Sequence, residues 1–183
     1  GSGKTRVITQ RIIHLLTEKK VSGEQLIALT FTNKAATEMK ERIEHALDKK
    51  DLPFIGTFHS FCLRLLKEHS DLLDKPFISI LDADDQKKML HAILHRNKLH
   101  KQIAPSHASY HISHMKNKQA MALITQAIKA GKKWTILAAE QFETPLMPDI
   151  FLAYEKEKEE SKSLDFDDLL LETVRLFKTN KTF

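Results

Sequence analysis

Lys4 and Thr5 close the pentapeptide Gly1-Ser2-Gly3-Lys4-Thr5 and open an amphipathic run from Arg6 to Leu16. Gly-Lys-Thr at the head of a helix is the second half of a phosphate-binding loop. Backbone N–H groups and the helix N-terminus face an anion, the lysine reaches the β- and γ-phosphates, and the threonine hydroxyl takes Mg²⁺. The first glycine of the full pattern would fall ahead of residue 1. Two further stretches combine rings, hydroxyls and amide or basic groups, each just after a short apolar run: Phe31-Thr32-Asn33-Lys34 and Thr57-Phe58-His59-Ser60. If those runs are parallel strands, these residues sit at strand C-termini, where ligands bind in such sheets. There a ring can stack on a base, while hydroxyl, amide, imidazole or ammonium groups hold phosphates. The plainer alternative makes Phe31 a core residue, Asn33 a helix cap and His59 a capping or core group.

Other residues invite chemistry with less support. Asp165, Asp167 and Asp168 could gather Mg²⁺, but a helix cap followed by an acidic first turn explains them better. Ile78-Ser79-Ile80-Leu81-Asp82 has the apolar-strand-then-Asp form of a metal site in small phosphate-loop enzymes, with Asp82 as ligand. His107, His111 and His114 share a helix face without a Cys or a suitably spaced acid to complete a site. Lys98, His100, Lys101, Lys116 and Lys118 make either a basic face or ordinary surface, and Trp134 and Tyr154 read as packing residues.

The elements that would position these groups follow from periodicity. Residues 5–18 read as a helix with Ile8, Ile12 and Leu15/Leu16 inward; 26–31 as a buried strand; 33–47 as a helix facing inward with Ala36, Met39, Ile43 and Leu47. Residues 53–57 and 77–81 are strand-like. Helices over 59–69, with Phe61, Cys62, Leu65 and Leu66 buried, and from the cap Asp82 to Arg96 follow them. Alternation of this kind calls for a parallel α/β sheet with right-handed crossovers. Segments 106–118, 119–130, 135–142 and 148–162 are helical with no strand among them, implying a helical lobe set into the α/β part. A last amphipathic helix begins near Leu164, with Phe166, Leu170, Val174 and Phe177 on one face. The chain's 183 residues and 42% hydrophobic content suffice for one core plus a smaller lobe, and a net charge of +5 suits a polyanionic partner without requiring one. The single cysteine, Cys62, excludes an internal disulfide, and the sequence holds no apolar membrane span or signal pattern, so a cytoplasmic, membrane-independent protein is expected.

Taken together, GSGKTRV (1–7), LTFTNKAATEMKERI (29–43), GTFHSFCLRLL (56–66), ILDADDQ (80–86) and LDFDDLL (164–170) resemble, in order, the front part of a UvrD/Rep/PcrA-type superfamily 1 DNA helicase. The resemblance implies an α/β P-loop NTPase (RecA-like) parallel sheet with an inserted all-helical subdomain, truncated at both ends. Residues 1–85 would begin motor domain 1A, 86–162 would be the helical insertion 1B, and 163–183 would return into 1A before the acidic DExx block.

It further implies ATP and Mg²⁺ as cofactors. Gly1, Ser2, Gly3, Lys4, Thr5 and Arg6 would hold the nucleotide, with Lys4 and Thr5 catalytic and the Thr5 hydroxyl on the metal. Phe31, Thr32, Asn33, Lys34, Thr57, Phe58, His59 and Ser60 would contact single-stranded DNA or single-/double-strand junctions. The implied activity is ATP-driven 3′→5′ translocation in DNA repair or replication, requiring a second motor domain, and the isolated chain is expected to be inactive. The helicase part of an AddA- or RecB-like helicase-nuclease fits the same blocks, and a small P-loop NTPase or kinase using Asp82 is the alternative from a different class.

Overall fold

The computed structural model describes residues 3–47, 52–73 and 79–180; Gly1, Ser2, Phe77 and Ile78 lie outside them. The chain divides into two units, Gly1–Leu65 and Leu66–Phe183. In the first, α1 (Lys4–Thr17), β1 (Ile27–Thr30), α2 (Asn33–Ala46), β2 (Phe54–Thr57) and α3 (Phe58–Glu68), whose last turn crosses the division, follow one another. Ala36, Met39 and Ile43 recur at helical spacing as the buried face of α2, and Met39 and Ile43 pack with Ile12 of α1 and Ala28 of β1. The expected α1 stripe shifts. Ile8 is about half exposed, whereas Thr9 is buried because its hydroxyl donates to the Thr5 carbonyl at 2.8 Å and so needs no solvent. Of the polar pair Thr32-Asn33, Thr32 caps α2, accepting from the Ala35 N–H at 3.2 Å, and Asn33 begins the helix.

β1 and β2 pair in parallel, from Ile27 against Phe54 to Thr30 against Thr57. Parallel neighbours need a crossover, and α2 supplies it. In the second unit β3 (Ser79–Ile80) precedes α4 (Ala83–Arg96), α5 (Pro105–Lys118), α6 (Ala120–Ala130), α7 (Trp134–Ala139) and α8 (Met147–Glu160), and β4 (Ser163–Leu164) leads into α9 (Phe166–Thr179). Leu90, Ile93 and Leu94 of α4 pack with Ile112 and Met115 of α5 and with Met147, Ile150, Phe151 and Tyr154 of α8. Trp134 packs against this core, edge-on to Phe151 with ring centres 6.1 Å apart. The protein is thus mostly helical, with small parallel ladders.

Three expectations need correction. The described residues carry parallel pairing in two separate two-stranded ladders, β1–β2 and β3–β4, rather than one sheet. Ser163–Leu164, expected to lead directly into a helix, form a strand paired in parallel with Ser79–Ile80. On α9 the buried face is Asp168, Leu169, Leu171, Thr173 and Leu176, while Phe166 and Phe177 are about half exposed. The apolar stripe was the wrong guide there, because a polar cluster fixes the helix's rotation.

That cluster gathers the buried charged side chains of the described residues. Lys116 of α5 and Lys158 of α8 are both buried. The Lys116 ammonium donates to Asp165 at 2.7 Å and to Asp168 at 2.6 Å; the Lys158 ammonium donates to Asp165 at 3.1 Å and also to Asp168. Glu155 Oε1 lies 2.9 and 2.8 Å from the two ammoniums, in ion-pair contact without hydrogen-bond alignment. Tyr154 donates to Asp165 at 3.0 Å and accepts from the Gln86 amide at 3.0 Å. Asp165 and Asp168 also close a reciprocal cap on α9. Lys116, grouped in the sequence with possible surface lysines, is therefore an interior residue, because the three facing acids offset its desolvation.

Three carboxylates meet two ammoniums, so full ionisation leaves one excess negative charge in a dry site. Burial works against both lysines, yet the facing acids hold them above the ordinary lysine value. Burial also opposes the Asp165 charge, but Lys116 and Lys158 hold its carboxyl below the ordinary range. At Asp168 burial, with the Asp165 and Glu155 charges, outweighs the ammoniums and pushes the carboxyl up to about 6. In the unfolded chain the same carboxyl titrates near ~3.9. The Asp168 contribution is thus fully present below about pH 4 and lost as pH rises through about 6, whereas the Asp165 contribution is present above about pH 4 and lost below it. Urea unfolding from about pH 4.5 to about pH 7 should show wild-type stability declining and Asp168→Asn holding level; parallel declines in the two proteins would refute this account.

Candidate functional site

Parallel strands end at the same edge, so the Thr30–Thr57 pairing places the two following turns side by side. Phe31 and Phe58 project from them with ring centres 6.3 Å apart and planes at 52°. Phe31 is 95% exposed and Phe58 is 47% exposed. The core alternative for Phe31 is excluded by that exposure. Thr32, Asn33, Lys34 and His59 are exposed beside the rings in sequence, while Thr57 is buried and Ser60 half-buried.

Both turns are tied by hydroxyls. Thr30 donates to the Thr32 carbonyl at 3.0 Å and to the Gly56 carbonyl at 3.4 Å, linking one turn to the neighbouring strand. Ser60 Oγ accepts from the Thr57 N–H at 2.8 Å, and Thr57 Oγ1 accepts from the Ser60 N–H at 3.2 Å, capping α3 from both sides. Thr57 and Ser60 thus act on the backbone, and the side chains presented outward are Phe31, Asn33, Lys34, Phe58 and His59. Sequence reasoning missed Thr30 and Gly56; a threonine closing each of the paired strands was the available signal. A Cβ on Gly56 would stand 2.5 Å from Ser60 Oγ and 2.8 Å from the Phe54 ring, so only glycine leaves room for the cap.

At α1, Gly3 is the N-cap, no described side chain caps it, and the first turn holds no acid. A Cβ on Gly3 would meet nothing within 4 Å. The first-turn N–H groups of a helix have no intrahelical partners and carry its positive end, so this end fits an anionic group. Lys4 and Arg6 are exposed, Thr5 is half-buried, and the Thr5 hydroxyl makes no hydrogen bond to another described residue. A hard cation beside a phosphate would suit that oxygen.

The competing metal candidates are spent elsewhere. Asp82 Oδ1 accepts from the Asp84 and Asp85 N–H groups at 2.9 and 2.8 Å, as the cap of α4. Asp165 and Asp168 serve the two lysines, and Asp167 accepts from Asn117 at 3.0 Å. A groove of about 760 Å³ in the second unit, lined among others by Ile128, Trp134, Leu152, Lys158 and Arg175, contains none of the expected nucleotide or strand-contacting residues. No described helix is long and apolar enough to cross a membrane.

Residues 1–183 match the UvrD/REP helicase N-terminal domain, and the chain belongs to that family. Among the proteins it is similar to are the ATP-dependent DNA helicase PcrA of Staphylococcus epidermidis, 36% identical over 181 residues, and that of Staphylococcus aureus, 37% identical over the same length. Each comparison covers 97% of this chain and 23% of the relative, so the chain spans under a quarter of their length.

The crowding around Gly56 generates a double-mutant test. Gly56→Ala should cost about 1–3 kcal/mol in denaturant unfolding by overpacking, and Ser60→Ala about 1 kcal/mol by loss of the cap. The double variant should cost less than the sum, because removing Ser60 Oγ vacates the space; strict additivity would show that the two do not compete.

Proposed function

We propose that this chain forms the ATP- and strand-gripping part of an ATP-dependent DNA helicase that moves 3′→5′ on single-stranded DNA. The observation that carries the reading is the exposed Phe31–Phe58 pair at the common edge of β1 and β2. Two large rings left in water at the ends of parallel strands, flanked by amide and basic groups, suit unstacked bases and their phosphates. Phe31 and Phe58 would stack on bases; Asn33, Lys34 and His59 would hold the backbone; Thr32, Thr57 and Ser60 would fix the two turns. Gly1, Ser2 and Gly3 would complete the phosphate loop, Lys4 would reach the β- and γ-phosphates, Thr5 would hold Mg²⁺, and Arg6 would flank the nucleotide. The family match and the names of the relatives support the assignment.

The domain reading is that residues 1–85 begin motor domain 1A, 86–162 form the inserted lobe 1B and 163–183 return into 1A. In its favour, β3 and β4 flank the helices in sequence and lie side by side in space, as the two ends of an insertion do. A second motor domain would close on the nucleotide and convert its hydrolysis into strand movement, acting in repair or replication in the cytoplasm.

The test uses the 183-residue chain with fluorescent oligo(dT). Phe31→Ala and Phe58→Ala should each weaken binding by about 1–3 kcal/mol, the worth of a base–aromatic stack, while Lys34→Ala should lessen the salt dependence. ATP turnover by this chain alone should be negligible, since no apolar strand ending in Asp-Glu occurs within it. Unchanged affinity in both phenylalanine variants would overturn the strand-contact reading, and robust turnover would overturn the division of labour with a second motor domain.

A further inference from the structure

α4 carries His91 and His95 one helical turn apart, and the turn after the helix carries His100; all three are exposed. The helix ends in a left-handed turn at Lys98, whose φ is 59°. The Lys98 N–H donates to the His95 carbonyl at 3.1 Å and the Leu99 N–H to the Leu94 carbonyl at 2.8 Å, the pairing of a Schellman cap. The chain after this cap brings the His100 ring flat against that of His95, 4.2 Å between centres and 4° between planes. The His95 and His91 rings are 4.3 Å apart.

Among the described residues none of these three imidazoles has a hydrogen-bond or ion-pair partner. Protonated, the rings would repel one another; neutral, each offers a lone pair. Desolvation by its neighbours, with His100 and His91 adding to it, holds His95 below the ordinary histidine value and so favours the neutral form. The nearby Arg96 is engaged with Glu157 at 2.5 Å. Two imidazoles at i and i+4 on a helix can chelate one ion, and imidazole suits Zn²⁺, Ni²⁺ and Cu²⁺ better than it suits Mg²⁺.

We propose that His91, His95 and His100 form a surface site for one divalent transition-metal ion, with His91 and His95 chelating from α4 and His100 closing on it as the third ligand. The exposed rings converge by turning about their side-chain bonds, and water completes the coordination. The acids Glu155, Asp165 and Asp168 already bring their ligand atoms within 4.8 Å of one another, but Lys116 and Lys158 fill that space.

Calorimetric titration of the whole 183-residue chain with ZnCl₂, at about pH 7.5 in excess Mg²⁺, tests the site, since metal binding needs deprotonated imidazole. A single equivalent of Zn²⁺ should bind despite the Mg²⁺. His95→Gln should weaken binding at least about tenfold, the lower end of what loss of even an outer-shell partner costs. His111→Gln should leave it unchanged, and His95→Gln, an exposed-side-chain change, should keep the wild-type circular dichroism. Absence of saturable Zn²⁺ uptake, wild-type affinity in His95→Gln, or an equal loss in His111→Gln would each overturn the proposal.

Discussion

Direction of pairing is the constraint from which the candidate strand-contacting surface follows. Because β1 and β2 run the same way and are registered from Ile27–Phe54 to Thr30–Thr57, both chains leave the ladder at one edge. Had they been antiparallel, Phe31 and Phe58 would have emerged at opposite ends and never met. The hydroxyl groups of Thr30, Thr57 and Ser60 then fix how each chain leaves: one ties its own turn to the neighbouring strand, the others cap α3 reciprocally. With the backbone's polar groups satisfied locally, the Phe31, Phe58, Asn33 and Lys34 side chains are exposed at that edge. Glycine at 56 belongs to the same arrangement, since a side chain there would occupy the space of the cap.

The second unit is fixed by a different interaction. Lys116, Lys158, Glu155, Asp165 and Asp168 come from α5, α8 and the start of α9, and each needs the others to be tolerable away from water. Such a cluster constrains orientation more sharply than apolar contact does, because an ammonium must meet its acceptors at bonding distance whereas a leucine can slide. The rotation of α9 shows the result: Asp168 points inward and Phe166 and Phe177 do not.

Much of this architecture was legible from the residues. Helical spacing located the long helices to within a residue or two, and the stripe Ala36, Met39, Ile43 was the core face of α2. The blocks around Lys4, Phe31 and His59 identified the family. What escaped has physical reasons. β4 is two residues long and carries no period of its own; only its partner defines it. Lys116 looks like any surface lysine until Asp165 and Asp168, some fifty residues away, are brought to it by folding. Thr30 reads as an ordinary strand residue, and its bridge to Gly56 depends on the register. The stacking of His100 on His95 depends on a left-handed turn at Lys98, a residue type that gives little warning of that conformation.

The β3–β4 ladder has an implication for how this kind of chain can vary. Since Ser79–Ile80 and Ser163–Leu164 are hydrogen-bonded neighbours, the eighty-odd residues between them leave and rejoin at a single doorway. A detour with adjoining ends can lengthen, shorten or trade its helices while the frame around the doorway keeps its geometry. Evolution is thereby free to remodel the excursion at a pace of its own, so long as the two short strands still find each other.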